Sequence, residues 1–333
     1  MAVYFDPDAI DSSLILGSGV LMIGYGNQGR AQALNLRDSG VRVSVGLYPG
    51  SKSWSKAVAD GFEPVIAAEA VSEHDFLVLC TPDMKMESVY REAVAPHLRP
   101  GAALCFSHGF NIRYGLIVPP PEVDVVMVSP KGAGYGVRGR YEAGSGVPGL
   151  IAVHQDATGQ ALNRALSYAW GIGCARSVLL ETTFAEETES DLFGEQAVLC
   201  GGIPDLIRMG YETLVEAGVQ PEIAYFECLH ETKLIVDLIV ERGLAGMRSA
   251  ISDTAQWGGL TAGPKVVTPE TRQVMRRLLA EIRDGSFAER WVQERDAGYP
   301  ELNALKREEA ATPVEEVGKA LRHNMREAEG GAH

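Results

Sequence analysis

Residues 20–36 read VLMIGYGNQGRAQALNL, a short apolar run that ends in glycines and passes into a helical pattern. Val20–Ile23 is a strand's length of continuous apolar residues, and Arg30–Leu36 carries apolar side chains at helical spacing. Between them, Gly24-Tyr25-Gly26-Asn27-Gln28-Gly29 matches G-x-G-x-x-G. Glycines in a strand–turn–helix unit let the backbone approach a pyrophosphate, which the helix N-terminus then stabilises. Alone the pattern is weak, because glycine turns match it by chance. Here it has a strand before it, a helix after it and a second strand about 20 residues on.

Working outward, the runs VRVSVGL (41–47), FLVLC (76–80), AALCFS (102–107), VDVVMVS (123–129) and GLIAV (149–153) are each followed by a turn and then a helical pattern. Continuous apolar strands alternating with helices imply a parallel sheet covered on both faces. The first half is therefore expected to be an α/β Rossmann domain.

The end of the second strand bears on the cofactor. An NAD site usually carries Asp or Glu there, to bind the ribose hydroxyls. This chain reads Leu47-Tyr48-Pro49-Gly50-Ser51-Lys52-Ser53, with no acid. Two hydroxyls and an ammonium could hold a 2′-phosphate, and Tyr48 could stack on adenine. NADPH is the expected cofactor, NADH the alternative; the plainer reading is an exposed loop.

Ligands of open parallel sheets bind beyond the carboxyl ends of the strands. Three such ends carry reactive residues: Thr81-Pro82-Asp83, His108 in SHGFN and Lys131 in SPKGAG. A lone histidine is more often structural, but a strand end above the crevice favours a catalytic role. Lys131 reads as a phosphate or substrate anchor, or as a loop lysine.

Composition narrows the partners. The chain has 333 residues and a formal net charge of −14, which opposes nucleic acid or anionic lipid as a main partner. Cys80, Cys105, Cys174, Cys200 and Cys228 are widely spaced and odd in number, as free thiols in a reducing compartment would be. The start, MAVYFDPDAI, has neither the basic residues nor the apolar run of a signal peptide. No apolar stretch reaches the ~18 uncharged residues of a membrane span. A cytoplasmic protein is expected.

From about residue 184 the pattern becomes helical. ETESDLFGEQAVLCGGIPDLIRMGYETLVEAGV and PEIAYFECLHETKLIVDLIVERGLAGMRSAI lack strand alternation. The expected division is a dinucleotide-binding domain over 1–182, a helical domain over 183–328 and a disordered tail over 329–333. Each helical stretch carries a carboxylate pair at a spacing of four: Asp191 and Glu195, then Glu227 and Glu231. At 100° per residue the second pair continues into Leu234 and Leu238, the first into Val198 and Gly202, so both extend a packing stripe. Two buried acids repel and cost several kcal/mol each to desolvate. A divalent cation would resolve that conflict, and carboxylates without matching His or Cys suit Mg²⁺. A solvated or salt-bridged face is the other reading.

GYGNQGRAQALNLRDSG, GSKSW, SHGFNI, SPKGAG, GLIAVHQDATG, ETTFAEETESDLFGEQAVLCGG, YFECLHETKLIVDL and SAISDTA, in this order to about residue 323, resemble ketol-acid reductoisomerase (acetohydroxyacid isomeroreductase) in its short, class I form. DLFGEQAVLCGG and FECLHE are the specific motifs. The resemblance implies a knotted all-α C-terminal domain. It also implies a Mg²⁺-dependent alkyl shift of 2-acetolactate or 2-aceto-2-hydroxybutyrate, then NADPH reduction to a 2,3-dihydroxy acid, in valine and isoleucine biosynthesis. Carried over by position, Asp191, Glu195, Glu227 and Glu231 match a two-Mg²⁺ site, with Glu227 and Glu231 expected from the partner in a homodimer. His108 matches the catalytic histidine, Lys131 a polar residue beside the metals, and Ser252 a substrate-carboxylate contact, also expected from the partner. Gly24, Tyr25, Gly26, Asn27, Gln28, Gly29, Tyr48, Ser51, Ser53, Asp83, Met84, Lys85, Met86 and Gly134 match cofactor contacts.

Some positions depart from the family pattern. Tyr48 stands where NADP-dependent members often have Arg, and Met84-Lys85-Met86 replaces a more polar run. Tyr135, Thr232 and Gln256-Trp257 replace a histidine, an apolar residue and Glu-Tyr. These changes bear on substrate and cofactor preference, since every metal and catalytic position survives. A paralogue acting on a related 2-hydroxy-3-keto acid, and a nucleotide sensor without catalysis, are the competing readings. A generic NADP dehydrogenase would leave the second acid pair unused.

Overall fold

The computed structural model describes residues 2–330, with side chains described to residue 325. The chain divides into two compact units, residues 1–190 and 191–333.

The first unit is built on eight strands: β1 (Gly19–Ile23), β2 (Arg42–Leu47), β3 (Val65–Ile66), β4 (Phe76–Leu79), β5 (Ala103–Phe106), β6 (Asp124–Pro130), β7 (Gly149–Gln155) and β8 (Leu179–Glu181). Their order is β3-β2-β1-β4-β5-β6-β7-β8, whose first six form the dinucleotide-binding arrangement with its switch point between β1 and β4. The apolar runs are continuous because both faces are covered. Val20, Met22, Phe76 and Val78 enter one buried cluster, while Leu21, Ile23, Leu77 and Leu79 enter the other.

The sheet is not wholly parallel, as the run pattern implied. β6 and β7 pair antiparallel, with Pro130 opposite Gly149. The intervening helix, Gly134–Glu142, packs on the helix Asn27–Asp38 instead of crossing back along the sheet, so β7 starts at the end where β6 stops. β3, two residues long, was too short to leave a periodic signal.

The helix Phe184–Gly194 runs through the division between the units. The first turns of this helix belong to the sheet unit. Phe184 packs in its core with a ring edge toward Phe106, and Glu187 and Thr188 are buried.

The second unit is all helical, and helices at Pro221–Tyr225, Pro269–Arg283, Pro300–Ala310 and Pro313–Gly330 each begin on proline, whose fixed φ suits the first turn. Its small core joins Tyr211, Ala224, Tyr225 and Val314. The long helices read from the sequence are interrupted. π segments occupy Glu195–Leu199 and Phe226–His230, and the helix Thr232–Ser249 kinks at Gly243, where φ is 71°. The last helix is described to Gly330, through the start of the expected tail; the rest of that tail lies outside the described residues. Among the described residues, no helix is long and apolar enough to cross a membrane.

Candidate functional site

The glycine loop lines a cleft of about 660 Å³ together with the ends of β2 and β4. Each glycine has its own steric reason. Gly24 has φ +98°, and a Cβ there would lie 2.7 Å from Cys80 O. A Cβ on Gly29 would come within 2.4 Å of Gly24 O, so that glycine brings helix and strand together. Gly26 has nothing within 4 Å: its missing side chain leaves open space at the N-cap of the helix Asn27–Asp38. Gly134 meets this loop from the other side, with a Cβ position 2.3 Å from Asn27 O. Thr81 Oγ1 in the cleft wall is buried and has no hydrogen-bond partner among the described residues.

The residues expected around a cofactor do not all face this cleft. Tyr48, Ser51, Lys52, Ser53 and Lys85 line it. Met84 and Met86 are buried and do not line it, and Met86 packs in the sheet core. Tyr25 lends the cleft its backbone. Its side chain is buried, its ring packs edge-on to Phe62, and its hydroxyl donates to Asp60 Oδ2 at 2.9 Å. Burial and that carboxylate push the Tyr25 phenol well above its ordinary pKa.

Beyond β5 and β6, His108 and Lys131 converge on a carboxylate that the spacing argument passed over. Glu187, on the helix Phe184–Gly194, has a fully buried side chain. It accepts from Lys131 Nζ at 2.8 Å, Ser129 Oγ at 2.8 Å and the Gly109 N–H at 3.2 Å. His108 Nδ1 lies 3.1 Å from Glu187 Oε2. Burial pushes the Glu187 pKa up, but hydrogen bonds and charge from His108 and Lys131 outweigh it and hold the carboxyl at about 2. An ionised carboxylate only accepts, so Nδ1 of His108 carries the hydrogen and Nε2 is left to exchange a proton. Gly109 permits this approach, since a Cβ there would lie 2.4 Å from Thr188 Oγ1 and 3.0 Å from Phe184 O.

Asp191 follows Glu187 by one turn on the same helix, and ligand atoms of His108, Glu187 and Asp191 lie within 4.8 Å of one another. Glu187 is already saturated with donors, which suits it to orient His108 and Lys131 more than to bind a cation. Its position was legible: Glu187, Asp191 and Glu195 recur every four residues.

The remaining acids sit where the helices widen. Cys200 N donates to Glu195 O at 2.8 Å and Glu231 N to Phe226 O at 3.1 Å, the long-range bonds of π turns, which are frequent at functional sites. Asp191 is half-buried, and Glu195, Glu227 and Glu231 are exposed. The stripe read as a packing face is only partly covered in the single chain: Leu234 is 57% exposed and Leu238 half-buried. Ser252 is exposed and caps the helix Asp253–Val266, accepting from Ala255 N at 3.2 Å.

A doubly wound sheet with a glycine-loop cleft, a His–Lys pair on a buried Glu at its strand ends and an acid-bearing helical unit defines a nucleotide-binding oxidoreductase. Residues 14–178 match the family model described as acetohydroxy acid isomeroreductase, NADPH-binding domain, and residues 184–327 that of ketol-acid reductoisomerase, C-terminal domain. The structure of an NADH-preferring ketol-acid reductoisomerase from an uncultured archean is similar, at 43% identity and TM-score 0.94, over 96% of this chain and 98% of that one. The chain belongs to the ketol-acid reductoisomerase family, and its activity is ketol-acid reductoisomerase activity in branched-chain amino acid synthesis. A semialdehyde dehydrogenase NAD-binding protein from Cupriavidus necator shares the fold at 20% identity and TM-score 0.60, over 80% of this chain and 99% of its own.

Proposed function

We propose that the cleft takes NADPH and that Asp191 and Glu195 hold two Mg²⁺ ions together with Glu227 and Glu231 of the partner subunit in a homodimer. The substrate is then 2-acetolactate or 2-aceto-2-hydroxybutyrate, rearranged by alkyl migration and reduced to the 2,3-dihydroxy acid. The observation that carries this reading is the clustering of His108, Lys131 and Asp191 around Glu187.

The residues fit the groups. Open space at Gly26 and the unpartnered Thr81 hydroxyl suit a dinucleotide lying across the glycine loop. Ser51, Lys52, Ser53 and Lys85 line the cleft with no acid between residues 48 and 53, which favours a 2′-phosphate. An all-oxygen donor set suits Mg²⁺. When bound, the cations supply Lewis acidity toward the substrate's carbonyl and hydroxyl oxygens, and NADPH supplies the hydride. The protein's own part is proton management and charge. Glu187 orients His108 so that Nε2 takes up or returns a proton, and Lys131 keeps a positive charge beside the acids. Ser252 of the partner subunit contributes a hydroxyl for the substrate carboxylate.

The homodimer rests on the open apolar face. Leu234, Val240, Leu244 and Trp257 are 57%, 80%, 70% and 73% exposed, on the segment that also presents Glu227 and Glu231.

The test is a cofactor-oxidation assay with 2-acetolactate, NADPH against NADH, with and without Mg²⁺. Metal-dependent turnover faster with NADPH supports the reading. Faster turnover with NADH, the preference of the similar archaeal enzyme, would reverse the cofactor assignment. No turnover with either would favour a related hydroxy-keto acid. Gly26→Val should fold normally, because nothing lies within 4 Å of its Cβ position, yet weaken NADPH binding by roughly a hundredfold in a calorimetric titration.

A further inference from the structure

The centre of the sheet unit holds a polar side chain that the reaction does not explain. Gln32 lies mid-helix in Asn27–Asp38 with 0% exposure, beside a cluster of apolar residues. Its Nε2 donates to Gln28 Oε1 at 3.1 Å and to Ser107 Oγ at 3.0 Å, and its Oε1 accepts from Tyr168 OH at 2.5 Å. Gln28 in turn donates from Nε2 to Gly132 O at 2.8 Å. Burying an amide is costly unless its bonds are made, and here all of them are.

The direction of every bond follows from one atom. Gly132 O is a carbonyl and can only accept, so Gln28 must face it with its NH₂. Gln28 Oε1 then points at Gln32, which must present its own NH₂ there. Gln32 Oε1 is left for Tyr168, whose hydroxyl must donate. Ser107 Oγ must accept from Gln32, so the Ser107 hydrogen is directed elsewhere: to Cys80 Sγ, 3.6 Å away, or to the cleft side. No amide flip is compatible with the carbonyl at the far end.

Through these bonds one side chain reaches three strand-end loops. Gln28 belongs to the glycine loop, Ser107 precedes His108 beyond β5, and Gly132 follows Lys131 beyond β6. We propose that Gln32 is a positioning residue that holds the cofactor loop, the His108 loop and the Lys131 loop in register for hydride transfer. The proposal rests on the reading of the cleft as an NADPH site and of His108 and Lys131 as reaction residues. Tyr168, fully buried and stacked on Phe76, anchors Gln32 from behind and touches none of the loops through its hydroxyl.

Three variants separate positioning from core stability, with melting temperature, NADPH dissociation constant without substrate, and kcat as readouts. Gln32→Met keeps the volume and loses all three bonds. It should raise the NADPH dissociation constant roughly tenfold and lower kcat at least tenfold. Tyr168→Phe should lower the melting temperature but leave both functional constants within about twofold, because the forward bonds of Gln32 persist. The proposal is overturned if Gln32→Met leaves both constants within about twofold, or if Tyr168→Phe shifts them as far. Should Gln32→Met not fold, Gln32→Glu retains shape and the Tyr168 bond, and only its protonated carboxyl can donate. Its NADPH affinity relative to wild type should fall as pH rises; a ratio independent of pH overturns the proposal. Wild-type protein that bound neither NADPH nor NADH would overturn the cofactor reading and this proposal with it. Normal wild-type binding beside an indifferent Gln32→Met overturns the proposal alone.

Discussion

Glu195→Gln is expected to abolish both the isomerisation and the reduction, with turnover falling by a factor of at least about 10³. The residue is exposed at the start of a π segment, so the substitution costs the fold little. What it removes is one charge from the proposed two-cation site. Isothermal titration with Mg²⁺ should show the lost affinity directly. Glu227→Gln should be equally inactive, and the two together test the shared site. If each site takes Asp191 and Glu195 from one subunit and Glu227 and Glu231 from the other, a mixed dimer of the two variants has one site with both defects and one with neither. Random exchange then restores about a quarter of wild-type activity, since half the dimers are mixed and half their sites are intact. If mixing restored nothing although subunits exchanged, each site would be built within one chain.

The parts of the fold written in short repeating patterns were readable. Val20–Ile23, Phe76–Leu79 and the other continuous runs announced strands buried on both faces, and Gly24, Gly26 and Gly29 announced the loop that follows. The reversal of β7 was not readable, because an apolar run carries no direction; it depends on where the helix Gly134–Glu142 packs. The acid pairs were visible through their spacing, but not the π turns that carry them, since a widened turn leaves the apolar pattern nearly intact. Periodicity also could not tell a stripe that packs within the chain from one open at its surface, as at Leu234. Met84 and Met86 show the opposite limit: a motif match aligned them with a cofactor cleft, while both are buried and neither lines it.

Glu187 shows how far a residue's charge can be decided by its surroundings, and its removal should have the second large effect. In Glu187→Gln, Lys131 loses a carboxylate partner at 2.8 Å and His108 loses the acceptor that holds Nδ1–H in place. Breaking a buried pair from one side costs about 3 kcal/mol of stability, because the remaining charge is left without compensation. Turnover should fall at least about a hundredfold, with imidazole orientation lost and the Lys131 charge redistributed. The pH dependence of stability separates this role from simple packing. The folded pKa of about 2 lies below the ordinary value of 4.5. The Glu187 contribution is therefore complete above the unfolded pKa and is lost as pH falls from there through the folded value. Wild-type protein should consequently lose stability on acidification through that window faster than Glu187→Gln, and the two unfolding curves should converge toward pH 2. Above the unfolded pKa Glu187 stays ionised, so its own protonation adds nothing further to the gap. A wild-type curve that fell through that window no faster than the Glu187→Gln curve would mean that His108 and Lys131 do not hold Glu187 as an anion.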